Sequence, residues 1–480
     1  MNVSRSLALV AAASALCAFE PARAATDSAK PVVERLLDIM LRSGQLSQDQ
    51  YEELLEQARE EQVATDAALA EAARALENPP VSDGPVDWKF KWSNSFKLDR
   101  NDGAFKLKFG GRIQTDSALI WESSDVKNTI GGEGSGVEFR RARLFFEGTV
   151  YERLFFKAQY DFANTGDGKT DFKDVYIGLK GLGPVRDVKA GHFKEPMFLE
   201  ESASSKYITF MERGLNSAFF PGRNVGFMAS GNALEKSLQW QLGIFRETND
   251  QGFAFDDWND ADWNLSTRVV GVPYYADEGG KLLHLGASYS HEFRGRATTT
   301  RYSERPEAHL ARPFAVTAAF PASDVDLLNL EAAGVWGPFS LQSEFTNAWV
   351  TGRGGQQDLG FWGLYAFASY FLTGEQRHYE YGKGAFGQIE PRHNFDPGAG
   401  HWGALEVAAR FSYLDLDDRN IRGGKLWDVT AGLNWYLFPN ARIMLNYVHA
   451  DLDDLNFGAA PVIDVSGTGD IVQMRLQLEF

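Results

Sequence analysis

The chain closes with Asp470-Ile471-Val472-Gln473-Met474-Arg475-Leu476-Gln477-Leu478-Glu479-Phe480, and the alternation of this stretch decides the fold. In an extended strand Val472, Met474, Leu476, Leu478 and Phe480 share one face, while Gln473, Arg475, Gln477 and Glu479 share the other. One face suits lipid and the other suits water. A wall with lipid outside and a wet lumen inside is what a closed transmembrane β-barrel builds.

The final Phe480 resembles the terminal signal of outer-membrane barrels in general. The other end of the chain agrees. Arg5, the apolar run Leu7 to Phe19 and the small residues Ala22 and Ala24 read as a signal peptide over 1–24. Cys17, the single cysteine, falls inside it, so the mature chain is expected to have no thiol, disulfide or thiolate metal site.

Hydrophobic residues make up 44% of the chain, yet beyond the leader no apolar run approaches the ~20 residues of a spanning helix. An aromatic content of 13%, 47 glycines and many short alternating segments instead suit strands of ~9–11 residues. A large secreted soluble β-protein is the competing reading of composition alone, and the C-terminal strand argues against it.

Residues 27–78 differ from the rest of the mature chain. Leu36, Leu37 and Met40, and then Tyr51, Leu54, Leu55 and Ala58, have helical spacing, with a turn near Ser43-Gly44 and a capping box from Ser47 to Gln50. Two readings stay open: a periplasmic coiled coil that ties subunits together, or a hairpin packed on the barrel. Asn78-Pro79-Pro80 through Gly84-Pro85 ends the helix, so 79–87 is a linker and 88–480 the barrel.

From Trp88 onward the period becomes two. Phe105, Leu107, Phe109 and Ile113 alternate with Lys106, Lys108, Arg112 and Gln114, and comparable segments recur to the end. At ~24 residues per strand plus connection, about 16 antiparallel strands are expected. The expected fold class is therefore an all-β transmembrane barrel with a short N-terminal α-helical segment, wide enough for an aqueous channel.

No nucleophile elbow and no paired-histidine spacing is present, and Gly166-Asp167-Gly168-Lys169-Thr170 lacks the first glycine of a P-loop because Ala163 stands there. No catalytic residue, metal site, cofactor or nucleic-acid partner is expected. The net charge of −17 mixes loops with pore wall and says little about selectivity, which the wall sets. Acidic clusters such as Asp256 to Asp262 and Asp451-Asp453-Asp454 read first as solvated loops.

Glu138-Phe139-Arg140-Arg141-Ala142-Arg143-Leu144-Phe145-Phe146 is the most informative internal segment. If Ala142, Leu144 and Phe146 face lipid, Arg141 and Arg143 face inward. Arg140 on a lipid face would cost ~2–4 kcal/mol at the midplane, so it either lies near an interface or is turned inward by a bulge. Inward arginines across the lumen from Lys106, Lys108 and Arg112 would form an anion-attracting wall. Charge balance with Asp116, Glu147 and Asp161 is the competing reading.

At these residues the chain resembles the phosphate- and polyphosphate-selective porins of Gram-negative outer membranes, the porin O/P family. The resemblance runs through Leu36-Leu37-Asp38-Ile39-Met40, Gly111-Arg112-Ile113-Gln114, Phe139-Arg140-Arg141-Ala142, Ala203-Ser204-Ser205-Lys206, Glu212-Arg213, Leu372-Thr373-Gly374-Glu375 and Met474-Arg475-Leu476-Gln477. It implies a homotrimer of 16-stranded barrels in the outer membrane, in contact with lipid and lipopolysaccharide and permeated by inorganic anions. It also implies a constriction loop, here about 193–224. Peptidoglycan is a further candidate partner, through the N-terminal helices.

Position by position, Arg112, Arg140, Arg141, Ser204, Ser205 and Arg213 match the family's phosphate surroundings. Lys194, Lys206 and Arg223 are further basic residues of the loop. The departures are Glu201 where the family has a lysine, Lys173 in place of an aspartate, and Arg143 and Lys194 at pore-narrowing tyrosines. Basic charge is kept but moved, so anion preference is implied while tight orthophosphate specificity is not. Pairing of Lys206 and Arg213 with Glu200, Glu201 or Glu212 competes with a lumen-facing role.

Overall fold

The computed structural model describes residues 34, 37, 40–43, 46–77, 87–92, 95–132, 135–163, 170–254, 262–295, 299–455 and 465–480. The leader over 1–24 lies outside the described residues, as do the linker apart from Asp87 and the glycine turn near 166 apart from Thr170. The chain forms two units, Met1–Val81 and Ser82–Phe480.

In the first unit one long helix, α1, runs Gln48–Glu77. Its start is fixed by a reciprocal cap: the Gln50 amide donates to Ser47 Oγ at 3.2 Å, and the Ser47 amide donates to Gln50 Oε1 at 3.0 Å. Helical residues also occur at Glu34, Leu37 and 40–42, and Arg59 of α1 reaches back to Glu34 at 3.0 Å.

The second unit is a closed barrel of 16 antiparallel strands. They are β1 Phe105–Glu122, β2 Gly136–Val150, β3 Leu154–Asp161, β4 Asp171–Leu182, β5 Val185–Lys194, β6 Arg223–Ala233, β7 Leu238–Arg246 and β8 Trp263–Ala276. They continue with β9 Lys281–Phe293, β10 Phe320–Trp336, β11 Phe339–Gly352, β12 Leu359–Phe371, β13 Ala404–Asp418, β14 Ile421–Phe438, β15 Ala441–Leu455 and β16 Val465–Glu479. A short hairpin, Trp88–Trp92 with Phe96–Arg100, is added below the start of β1.

Closure comes from pairing β16 with β1, from Gly469 opposite Glu122 down to Glu479 opposite Arg112. The terminal residue completes the seam. The Gly111 amide donates to the Phe480 carbonyl at 2.7 Å and the Phe480 amide donates to Gly111 O at 3.2 Å. Gly110 and Gly111 leave the room, since a Cβ on either would stand 2.4–2.6 Å from Phe480 atoms.

The pleat assigns the faces. Ile113 is 41% exposed and its neighbour Arg112 only 4%, and Met474, Leu476 and Leu478 point out while Arg475, Gln477 and Glu479 point in. The outer face is apolar, and the inner face is polar and covered.

Three of the described connections cover it. Residues 195–222, between β5 and β6, carry one helical turn at Leu199–Ser202 and a 3₁₀ turn at Leu215–Phe219. Wall side chains hold this segment by its carbonyls: Arg442 Nη1 donates to Ile208 O at 2.9 Å, Asn434 Nδ2 to Thr209 O at 2.8 Å and Arg475 Nη1 to Met211 O at 2.5 Å. Glu344 of β11 accepts the amides of Leu199 and Glu200, both at 2.8 Å.

The second inward segment, 294–319, comes after β9. Its Glu307 takes the guanidinium of Arg410 and the hydroxyls of Ser412 and Thr430. The third, 372–403, enters from the end that carries the short turns, and its Arg377 lies over the Phe386 ring and donates to Gln342 at 3.0 Å. Irregular backbone at membrane depth is tolerated because it lines or fills a lumen and not a lipid face.

Candidate functional site

The register of β1 and β2 sets Gln114 beside Arg141 and Arg112 beside Arg143. All four are inward and buried. Arg140 interrupts the alternation: pairing passes from Gln114–Arg141 to Thr115–Phe139, and Arg140 is left without an opposite residue. This bulge turns it inward, where its guanidinium grips Glu212 through two contacts of 2.8 and 2.9 Å.

One expectation needs correction. Lys106, Lys108 and Arg112 do not face the β2 arginines across the lumen, because β1 and β2 are adjacent strands and these residues belong to one wall. The basic surface is a patch on one side of the pore, continued by the segment 195–222.

Most of its cations are already paired. Arg143 meets Asp161 at 2.5 Å, Lys206 meets Glu479 at 2.8 Å, Lys173 meets Asp171 at 3.3 Å, and Arg213 and Lys194 share Glu201 at 2.8 and 3.3 Å. Glu147 is taken by Lys108 and Lys157, and Asp116 by Arg475. Glu212 serves Arg140 and Arg475 together. Burial pushes the Glu212 carboxyl up, but Arg140, Arg141 and Arg475 outweigh it and hold the group well below the usual carboxylate range.

Among the described buried guanidinium groups of this wall, Arg112, Arg141 and Arg442 lack a close carboxylate and keep a buried unsatisfied Nε, and Arg112 and Arg141 stand side by side on β1 and β2. Arg112 has no hydrogen-bond or ion-pair partner among the described residues, and its buried Nε and Nη1 are both unsatisfied. Arg141 donates Nη1 to Gln114 Oε1 at 3.0 Å, keeps a buried unpartnered Nε, and comes no closer than 3.9 Å to Glu212. Buried donors without partners cost free energy unless something else satisfies them.

Around this pair the partners are amides where carboxylates would neutralise the charge. Gln114 Nε2 donates to Gln477 Oε1 at 2.6 Å, and Arg442 Nη2 reaches the same oxygen at 3.3 Å. The chain Arg141–Gln114–Gln477–Arg442 thus crosses β2, β1, β16 and β15. An amide orients a guanidinium and leaves its charge available to a visiting anion.

Ser204 and Ser205 approach from the inward segment. Ser205 O accepts from Gln114 Nε2 at 3.3 Å, and Ser204 Oγ accepts the Lys206 amide at 3.4 Å. The segment is thereby tied to the Arg112–Arg141 wall. Lys173 stands on β4, with its carbonyl held by His192 Nδ1 at 2.8 Å. Arg442 and Arg475 were not anticipated as site residues from the sequence, although Arg475 and Gln477 lie on the inward parity of the terminal strand.

The family model described as phosphate-selective porin O and P matches residues 107–480. An uncharacterised protein of Caulobacter vibrioides is 30% identical over 86% of this chain and 82% of its own length. Porin O of Pseudomonas aeruginosa is 26% identical over 82% of this chain and 93% of its own. Among solved structures, the anion-selective porin of Comamonas acidovorans is 14% identical and aligns over 78% of this chain and all of that one, with a TM-score of 0.47. A closed barrel with a polar, loop-lined lumen and a family match over residues 107–480 lead to one conclusion: the chain belongs to the phosphate-selective porin O and P family of Gram-negative outer membranes.

Proposed function

We propose that this porin is an anion-preferring diffusion channel whose selectivity resides at Arg112 and Arg141, and that phosphate-type oxyanions are its preferred passengers. The observation that carries this is the pair of buried guanidinium groups with unsatisfied N–H donors beside Arg140, Arg143 and Arg475, which are each paired with a carboxylate. Guanidinium donors match phosphate oxygens in geometry and charge, and Ser204, Ser205 and Gln114 supply neutral polar groups beside them. We further infer a homotrimer that meets lipopolysaccharide at its outer face, and N-terminal helices that link subunits or contact peptidoglycan. These assignments rest on the family and on the amphipathic spacing.

Reversal potentials in planar bilayers under a potassium chloride gradient test the reading. Chloride is expected to permeate better than potassium, and Arg112→Ala with Arg141→Ala to bring the ratio toward unity. Cation preference in the wild-type channel would overturn it.

A further inference from the structure

Glu201 occupies an unusual place for an acidic group in an anion lane. The residue is 8% exposed, and each carboxylate oxygen is held by a cation from a different element. Oε1 lies 3.3 Å from Lys194 Nζ at the end of β5, and Oε2 lies 2.8 Å from Arg213 Nη2 on the inward segment. Lys194 Nζ is further saturated by the carbonyls of Glu201 at 2.5 Å and Ala203 at 3.4 Å. Burial pushes the Glu201 carboxyl up, yet Arg213, Lys194 and Arg223 prevail and keep it below its ordinary value. It is therefore charged whenever the channel works near neutral pH.

The cations it holds are continuous with the open pair. Arg143 interacts electrostatically with Arg112 and Arg223, and Arg223 in turn with Lys194 and Glu201.

We propose that Glu201 is a tethered counter-anion that competes with the permeating anion for Lys194 and Arg213, and so sets how tightly the channel binds and how fast it releases. A group held on the same segment acts at a high effective concentration, so a passing ion displaces it only briefly. Conduction needs binding weak enough to allow exit, and an internal competitor provides that without removing the cations that attract the ion. A singly charged, weakly coordinating ion such as chloride displaces a carboxylate poorly. An oxyanion with two charges and several acceptor oxygens displaces it best, so the substrate class is multivalent oxyanions. This rests on the anion-channel reading above.

The test is phosphate block of single-channel chloride current for wild type, Glu201→Gln and Glu201→Asp. Glutamine keeps an acceptor for Lys194 and removes the charge, while aspartate keeps the charge. Half-block by phosphate is expected at about tenfold lower concentration in Glu201→Gln, with longer blocked intervals. Glu201→Asp is expected to stay near wild type. Unchanged or weaker block in Glu201→Gln, with chloride preference retained, overturns the proposal and leaves the channel reading standing. Larger, noisy, less selective currents in Glu201→Gln also overturn it, because they make Glu201 a loop anchor only. Absence of chloride preference in wild type removes the channel reading and this inference together.

Discussion

Arg112 and Arg143 are directly opposed across β1 and β2, yet Arg143 has Asp161 at 2.5 Å while Arg112 has no ion-pair partner among the described residues. The two positions should therefore respond oppositely to truncation. Arg143→Ala strands a buried carboxylate and is expected to destabilise the barrel by about 3–5 kcal/mol, read as a lower urea midpoint in detergent. Arg112→Ala removes a buried charge that no carboxylate touches directly and is expected to leave that midpoint unchanged or raised while weakening anion binding.

Arg475 ties the C-terminal strand to the inward segment. It meets Asp116 and Glu212 at 2.6 and 2.7 Å and donates to Met211 O at 2.5 Å. Arg475→Met fills a similar volume but leaves Asp116 and the Met211 carbonyl without their donor and takes from Glu212 one of its two close cations. The segment 195–222 should then detach more often. Open-channel noise is expected to rise and chloride preference to fall, while the folded, heat-modifiable barrel persists on gels.

The inward segments 195–222 and 294–319 touch through Ser217 and Glu304, the hydroxyl donating to Glu304 Oε2 at 2.8 Å. Burial pushes the Glu304 carboxyl up to about 8; Glu307 adds to this, while the Arg305 amide and side chain and the Ser217 hydroxyl oppose it. A folded-state value above the unfolded one means that the native segment holds the proton more tightly. Its contribution to stability is full at low pH, declines as pH rises from about 4.3 to about 8, and is lost above that. Hydrogen exchange in 294–319, corrected for intrinsic rate, is expected to accelerate between pH 5 and 8, and Glu304→Gln to abolish the change.

Gly110 and Gly111 accept the terminal Phe480 where a side chain would collide with it. Gly110→Val should hinder closure of β16 on β1 and raise the fraction of unfolded chain after refolding into detergent. Phe480→Ala in the same background should relieve little, since the nearest obstacle is the Phe480 carbonyl.

The architecture was largely legible because a pore wall alternates strictly. Period two in Val472 to Phe480 and Phe105 to Asp116 told inside from outside, and both segments are strands with that orientation. The Ser47–Gln50 cap was legible for the same local reason. Pairing was not. Whether Arg141 or Arg143 is neutralised depends on Asp161 and Glu212, 20 and 71 residues from Arg141, and alternation carries no such information. The placement of β1 beside β2 was available from hairpin logic, and the expectation of facing walls missed it. The inward courses of 294–319 and 372–403 rest on contacts such as Glu307 with Arg410 and Arg377 with Gln342, whose sequence separations leave no local trace.

Whether Arg112 and Arg141 are the open anion site of this pore is decided by titrating single-channel chloride current with phosphate and pyrophosphate in wild type and in Arg112→Ala with Arg141→Ala. Saturable block in wild type that is lost in the double variant, with an open pore and folded barrel retained, is the predicted result. Equal block in both, or large currents that neither anion blocks in wild type, would contradict it.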